Sequence, residues 1–148
     1  QADVFRIAYL LRHGGVWVDA ATLIRQPLKN WLPMAHPLVL LRRQHQIQPE
    51  VATGLMYASP GHPLLARAWD RIQAYLLMRS GKKVYRHFGP GILRDLFREQ
   101  PQLASLVHVI PEQDISGCLR FGSSRSVVGS AQHWSSRQEN ESLYFSGG

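Results

Sequence analysis

Apolar residues recur at Val4, Ile7, Ala8 and Leu11, the spacing of one helix face, and predict a helix over residues 2–13. Asp3 lies in its first turn, where the helix dipole favours an acid, and Gly14 follows as a candidate left-handed cap. Val16-Trp17-Val18 is a short β-branched and aromatic run that reads as a buried strand leading into Asp19. Three prolines, Pro27, Pro33 and Pro37, punctuate the next segment and leave room for a helical turn around Leu28 to Leu32. Leu38 to Leu41 and Thr53 to Ala58 are further strand candidates, separated by a polar loop from Arg42 to Glu50 and closed by the turn signal Ser59-Pro60-Gly61. A long helix is predicted from about His62 to Arg79, with Leu65, Ala68, Trp69, Ile72 and Leu76 inward and Gly81 as its stop. Another follows from about Ile92 to Glu99, and Leu106 to Ile110 is a last strand. From Ser116 onward Ser and Gly dominate, which predicts loop and tail.

Strands and helices mix without strict alternation, so the fold class is α/β with a mixed sheet flanked by helices. The 148 residues, 45% of them hydrophobic, suffice for one domain with a real core. No apolar run reaches the length of a membrane-spanning helix. Cys118 is the lone cysteine, which excludes an internal disulfide framework and a four-cysteine zinc site. It favours a reducing compartment, hence a cytoplasmic setting, at most peripheral to a membrane.

The formal net charge of +7 comes mostly from arginine, whose planar fork suits phosphates and carboxylates. Anionic partners such as nucleotides therefore fit. The basic residues are scattered, with short pairs at Arg42-Arg43 and Lys82-Lys83, and lack the concentrated stripe of a dedicated nucleic-acid binder. A solvated basic surface explains the charge equally well.

Asp3 and Arg6, three apart, share a helix face that continues through Leu10 and His13. That spacing suits a polar pair aimed into a site, and equally an ordinary surface ion pair. Asp19 ends a strand, the place where open α/β sheets bind ligands, or it caps the turn that follows. His13, His62, His87 and His133 are too dispersed for a metal motif and read as structural or surface residues. Cys118 has no histidine partner motif, and Ser59 sits in no nucleophile elbow.

Taken as a block, ADVFRIAYLLRHGGVWVDAATL resembles the sugar-binding region of GT-A-type glycosyltransferases of the D-x-D group, which includes the capsular polysaccharide synthesis proteins. The match runs through Asp3, Arg6, Leu10, Gly14, Gly15, Trp17 and Asp19, with Ala2 in the place of a serine. SPGHPLL, HFGPGIL and His133-Trp134 extend the likeness more weakly along the chain. The resemblance implies a GT-A-like (Rossmann-like) fold whose nucleotide-binding units precede this chain. Residues 1–115 would then be the latter part of the domain, and residues 116–148 a loop and tail that close the site.

By the same resemblance, Asp3, Arg6, Gly14, Gly15 and Asp19 bind the substrate. Asp3 contacts ribose or sugar, Arg6 the donor phosphate or sugar, and Asp19, the first acid of D-x-D and the catalytic residue, the sugar or ribose hydroxyls. A divalent cation, Mn²⁺ or Mg²⁺, would rest on Asp19 and His133, but Ala21 replaces the second acid and puts metal use in question. Arg6, together with Lys82, Lys83 or Arg86, could stabilise the leaving diphosphate instead. The partners implied are a nucleotide-sugar donor and a carbohydrate or glycoconjugate acceptor, with no specific nucleic acid. Among the acids available as a base, Asp70, Asp95, Glu112 and Asp114, the last two follow a predicted strand and fit best. The alternative function is a noncatalytic basic module, or an inactive fragment, that binds a polyanion or a protein.

Overall fold

The computed structural model of the chain describes residues 2–44, 50–78 and 88–122. Helix α1 (Ala2–His13) leads into strand β1 (Gly15–Val18), and β2 (Thr22–Ile24), β3 (Leu38–Arg42) and β4 (Ala52–Ala58) follow. Helices α2 (Pro63–Met78) and α3 (Pro90–Glu99) come next, then β5 (His108–Pro111) and β6 (Leu119–Phe121). 3₁₀ segments fill Leu28–Asn30, Pro101–Leu106 and Glu112–Ile115.

Four strands form a mixed sheet in the order β1-β4-β3-β5. β4 runs antiparallel to both β1 and β3, whereas β3 and β5 are parallel. Strands β1, β3 and β5 therefore point the same way. The residues that follow them, Asp19, Arg43 and Glu112, emerge along one edge of the sheet, where β4 begins. β1 is the margin of the sheet, and β2 and β6 make a separate antiparallel ribbon.

Strict alternation decides how the sheet is covered. Leu38 and Leu40 of β3, Met56 and Ala58 of β4 and Trp17 of β1 face the layer of helices, where they pack with Ile7, Leu10, Leu65, Ile72 and Leu93. Val39, Leu41, Leu55 and Ile110 face the other way, against Leu32, Ile115, Leu119 and Phe121. The sheet is thus buried on both faces, by helices on one side and by ribbon and 3₁₀ turns on the other.

Most predicted elements stand where the pattern puts them, and the departures have physical reasons. α3 begins two residues early because Pro90 suits the first helical turn, where its missing N–H costs nothing. Leu106 belongs to a 3₁₀ turn rather than to β5. The loop expected from Ser116 instead forms β6, whose residues Leu119, Arg120 and Phe121 pair with Ile24, Leu23 and Thr22. The end of the long helix at Arg79 and its stop at Gly81 lie outside the described residues, as does most of the polar loop before Glu50.

Gly14 adopts φ 66° and its N–H donates to the Leu10 carbonyl, closing α1 as the pattern predicts. A Cβ there would lie 2.7–2.9 Å from Pro60 Cδ, the Ala58 carbonyl oxygen and Pro60 N. Helix α1 can pass this close to the β4–α2 turn only because the residue is glycine. Gly14→Ala is expected to lower the unfolding free energy by about 1–3 kcal/mol, from left-handed strain together with the contact. A shift of the urea midpoint at unchanged m-value measures it.

Candidate active site

The polar face of α1 is the face the fold buries. Asp3, Arg6, Ile7 and Leu10 are its buried residues, while Val4 and Leu11 are half-buried at its flanks and His13 is exposed. The apolar stripe expected at Val4, Ile7, Ala8 and Leu11 is therefore out of phase with the true inner face. Burying an arginine is tolerable only when it is paired and hydrogen-bonded. Here three elements supply the partners.

Arg6 Nε lies 3.3 Å from Asp3 Oδ1, and Arg6 Nη2 lies 3.2 Å from Asp19 Oδ1. Arg6 Nη1 donates to the carbonyl of Thr53 in β4. The guanidinium also stacks over the Trp17 ring, 4.9 Å from its centroid. Trp17 Nε1 in turn donates to Asp19 Oδ1 at 3.0 Å, and Thr53 Oγ1 donates to Asp3 Oδ1 at 3.4 Å. One cation thus sits between two carboxylates, and an indole N–H shares the load on the second.

The two acids differ in access. The Asp3 side chain is 11% exposed and that of Asp19 is 46% exposed. Asp19 is held by its backbone as well: its N–H donates to the Gly54 carbonyl, and its own carbonyl accepts from Thr22 N–H in a tight turn. A Cβ at Gly54 would approach Asp19 Oδ2 to 2.9 Å, and one at Gly89 would come within 2.7 Å of the Asp3 carboxyl carbon and oxygen. Both glycines therefore make room for a carboxylate. Arg6 Nε and Thr22 Oγ1 are buried with no hydrogen-bond partner among the described residues, although Nε keeps its ion pair with Asp3. Beside the site, Phe5, Tyr9 and His13 form an aromatic ladder along α1 that reaches Trp17 through Phe5.

Burial raises the Asp3 pKa above its ordinary 3.8, although Arg6 pulls the other way. The folded state therefore favours the protonated acid. The stability this contributes is complete below about 3.8 and is lost as pH rises from there through the folded value. Asp3→Asn, neutral at every pH, removes that dependence. In urea titrations between pH 3 and pH 7, its unfolding free energy relative to the parent should move in the variant's favour as pH rises.

A divalent cation fits this donor set poorly. Asp19 is the single exposed carboxylate, and its Oδ1 already faces a guanidinium and an indole N–H. Ala21 offers no side-chain oxygen, and its carbonyl accepts from Gly122 N–H. No group of three His, Cys, Asp or Glu residues suited to a metal ion occurs among the described residues. His133, Lys82, Lys83, Arg86 and His87 lie outside the described residues.

The other sequence candidates are placed apart from this cluster. Glu112 stands on the same sheet edge but just after β5, which lies three strand spacings or about 14 Å from β1. It pairs with Arg43 Nε at 3.3 Å and accepts from Gln44 N–H, while Arg43 stacks on Phe121. Asp114 is exposed, Asp70 lies on the surface of α2, and Asp95 pairs with its neighbour Arg94. His62 is structural: Nδ1 accepts from Leu64 N–H at the start of α2 and Nε2 reaches the Leu106 carbonyl, while burial lowers its pKa. Thr53 is the participant that the sequence reading missed. Its one signal is Gly54, an interior strand glycine of the kind that marks close approach by another group.

The model of the capsular polysaccharide synthesis protein family matches residues 1–114, a span that carries every member of this cluster. The chain belongs to that family. It is also similar to the Saccharomyces cerevisiae protein named "Putative glycosyltransferase HOC1", at 30% identity over 95 residues. That alignment covers 54% of this chain and 24% of the yeast protein, so the chain spans about a quarter of the length of the curated relative it matches. No helix among the described residues of this capsular-synthesis family member is long and apolar enough to cross a membrane.

Proposed function

We propose that the chain carries the donor-sugar site of a nucleotide-sugar-dependent glycosyltransferase with a GT-A-like fold, acting in polysaccharide or glycoconjugate synthesis. The observation that carries this reading is a half-exposed carboxylate, Asp19, at the C-terminal end of β1, braced by buried Arg6 and by Trp17. Such an acid accepts hydrogen bonds from sugar hydroxyls in a fixed direction, because its other lone pairs are already committed. Family membership and the yeast relative support the same class.

In the reaction the bond between the anomeric carbon and the diphosphate breaks, and a bond to the acceptor oxygen forms. The acceptor hydroxyl surrenders its proton, and the diphosphate leaves with the electron pair. On this reading Asp19 orients the sugar, and Arg6 sets the position of Asp19 while lending positive charge to the floor of the site. Asp3 acts through Arg6 and is a positioning residue.

Isothermal titration of the chain with a panel of UDP- and GDP-sugars, each with and without Mn²⁺, tests the proposal. Saturable binding of one donor, insensitive to Mn²⁺, is the expected result. Indifference to every donor, combined with tight binding of a polyanion, would instead support a noncatalytic basic module.

A further inference from the structure

The β2–β6 ribbon presents an apolar residue between basic ones on a surface with few acids. Leu119 is buried and Phe121 packs inward, so the alternation turns Leu23 and its cross-strand partner Arg120 to the outside. Leu23 is 60% exposed and Ile24 beside it 42%. Arg25, tied to the ribbon by its N–H to the Cys118 carbonyl, is exposed, as is Lys29 in the turn that follows. The sequence shows the same bias: residues 20–49 and 115–138, the two stretches that supply the ribbon, contain no Asp or Glu. The flanking acids are Asp19, already facing Arg6, Glu112, paired with Arg43, and exposed Asp114.

We propose that this ribbon docks the protein on an anionic lipid bilayer, with Leu23 entering the headgroup layer and Arg25, Lys29 and Arg120 lying on the lipid phosphates. Charge complementarity selects an anionic partner. The exposed leucine selects a bilayer over a soluble polyanion, because a polyanion in water gives an apolar side chain nothing to enter. Long basic side chains at an interface run their stems along apolar surface while their heads reach the phosphates, which suits Arg120 as the cross-strand partner of Leu23. β2 starts three residues after Asp19, so a docked ribbon holds that carboxylate close to the membrane. Delivery of a lipid-anchored acceptor to the same edge is a corollary that rests on the sugar-transfer reading; the docking does not.

Flotation of the full chain with phosphatidylcholine vesicles, plain or mixed with phosphatidylglycerol, tests this without reference to sugar transfer. Binding should appear with the anionic vesicles and weaken as salt is raised. Arg25→Gln and Arg120→Gln should each lower the partition coefficient about fivefold. Leu23→Ser should lower it severalfold at unchanged salt dependence, while Arg67→Gln on exposed α2 surface serves as a charge control and should change it little. Circular dichroism confirms that each surface variant is folded. Equal binding to both vesicle types, no binding to either, a loss as large for Arg67→Gln as for Arg25→Gln, or indifference to Leu23→Ser would each overturn the proposal.

Discussion

Replacing Arg6 by alanine should lower the unfolding free energy by about 3–5 kcal/mol, the cost of breaking a buried ion pair from one side. The side chain is 8% exposed and sits between Asp3 and Asp19, with the Thr53 carbonyl as a third acceptor. Its removal strips the buried Asp3 carboxylate of its main counter-charge and pushes its pKa still higher, so that Asp3 carries either an uncompensated buried charge or a proton bound at a cost. The cavity and the unanswered carbonyl add to that charge term. A double variant separates the contributions. Arg6→Ala combined with Asp3→Asn should recover part of the loss, because the amide needs no counter-ion. Urea unfolding of the four members of that cycle at pH 7 measures the coupling. Strict additivity would mean that Arg6 acts through packing alone.

Asp19→Ala should have the opposite profile. The side chain is about half exposed, and Arg6 keeps Asp3 as a partner when it is lost. The stability change should therefore stay within about 1 kcal/mol. Donor binding should suffer far more. Two charge-assisted hydrogen bonds to sugar hydroxyls, at about 1.5–3 kcal/mol each, correspond to a loss of affinity of at least about a hundredfold. Isothermal titration of parent and variant with the same sugar nucleotide reads this directly, and the melting temperature shows that the fold survives. Unchanged donor affinity in a folded Asp19→Ala variant would remove Asp19 from the site.

Much of this architecture is legible in the residue pattern. Helix α1, the glycine turn, β1, β3, β4 and α2 follow from periodicity and turn chemistry, because each is long enough or sharply enough bounded to carry its own signal. β2 and β6 are not legible. Each has three residues, too few to show alternation, and each exists through pairing with a strand nearly a hundred positions away. The phase of α1 is not legible either, for a related reason. Val4 and Leu11 are good core residues by composition, yet Asp3 and Arg6 take the inner face because Asp19, Trp17 and Thr53 answer their charges there. The assembly of Asp3, Arg6 and Asp19 around one point was visible only through family resemblance. Spacing within the helix left a surface ion pair equally open.

The position of β1 at the sheet's margin has a mechanical consequence. Asp19 N–H bonds to the Gly54 carbonyl, so residues 15, 17 and 19 turn their backbone groups toward β4 and residues 16 and 18 turn theirs outward. Among the described residues nothing pairs with the N–H and C=O of Val16 and Val18. The carboxylate thus hangs from a beam clamped along one side: Arg6 and Trp17 fix its tip, and the stiffness of its root is left to whatever lies along the outer edge.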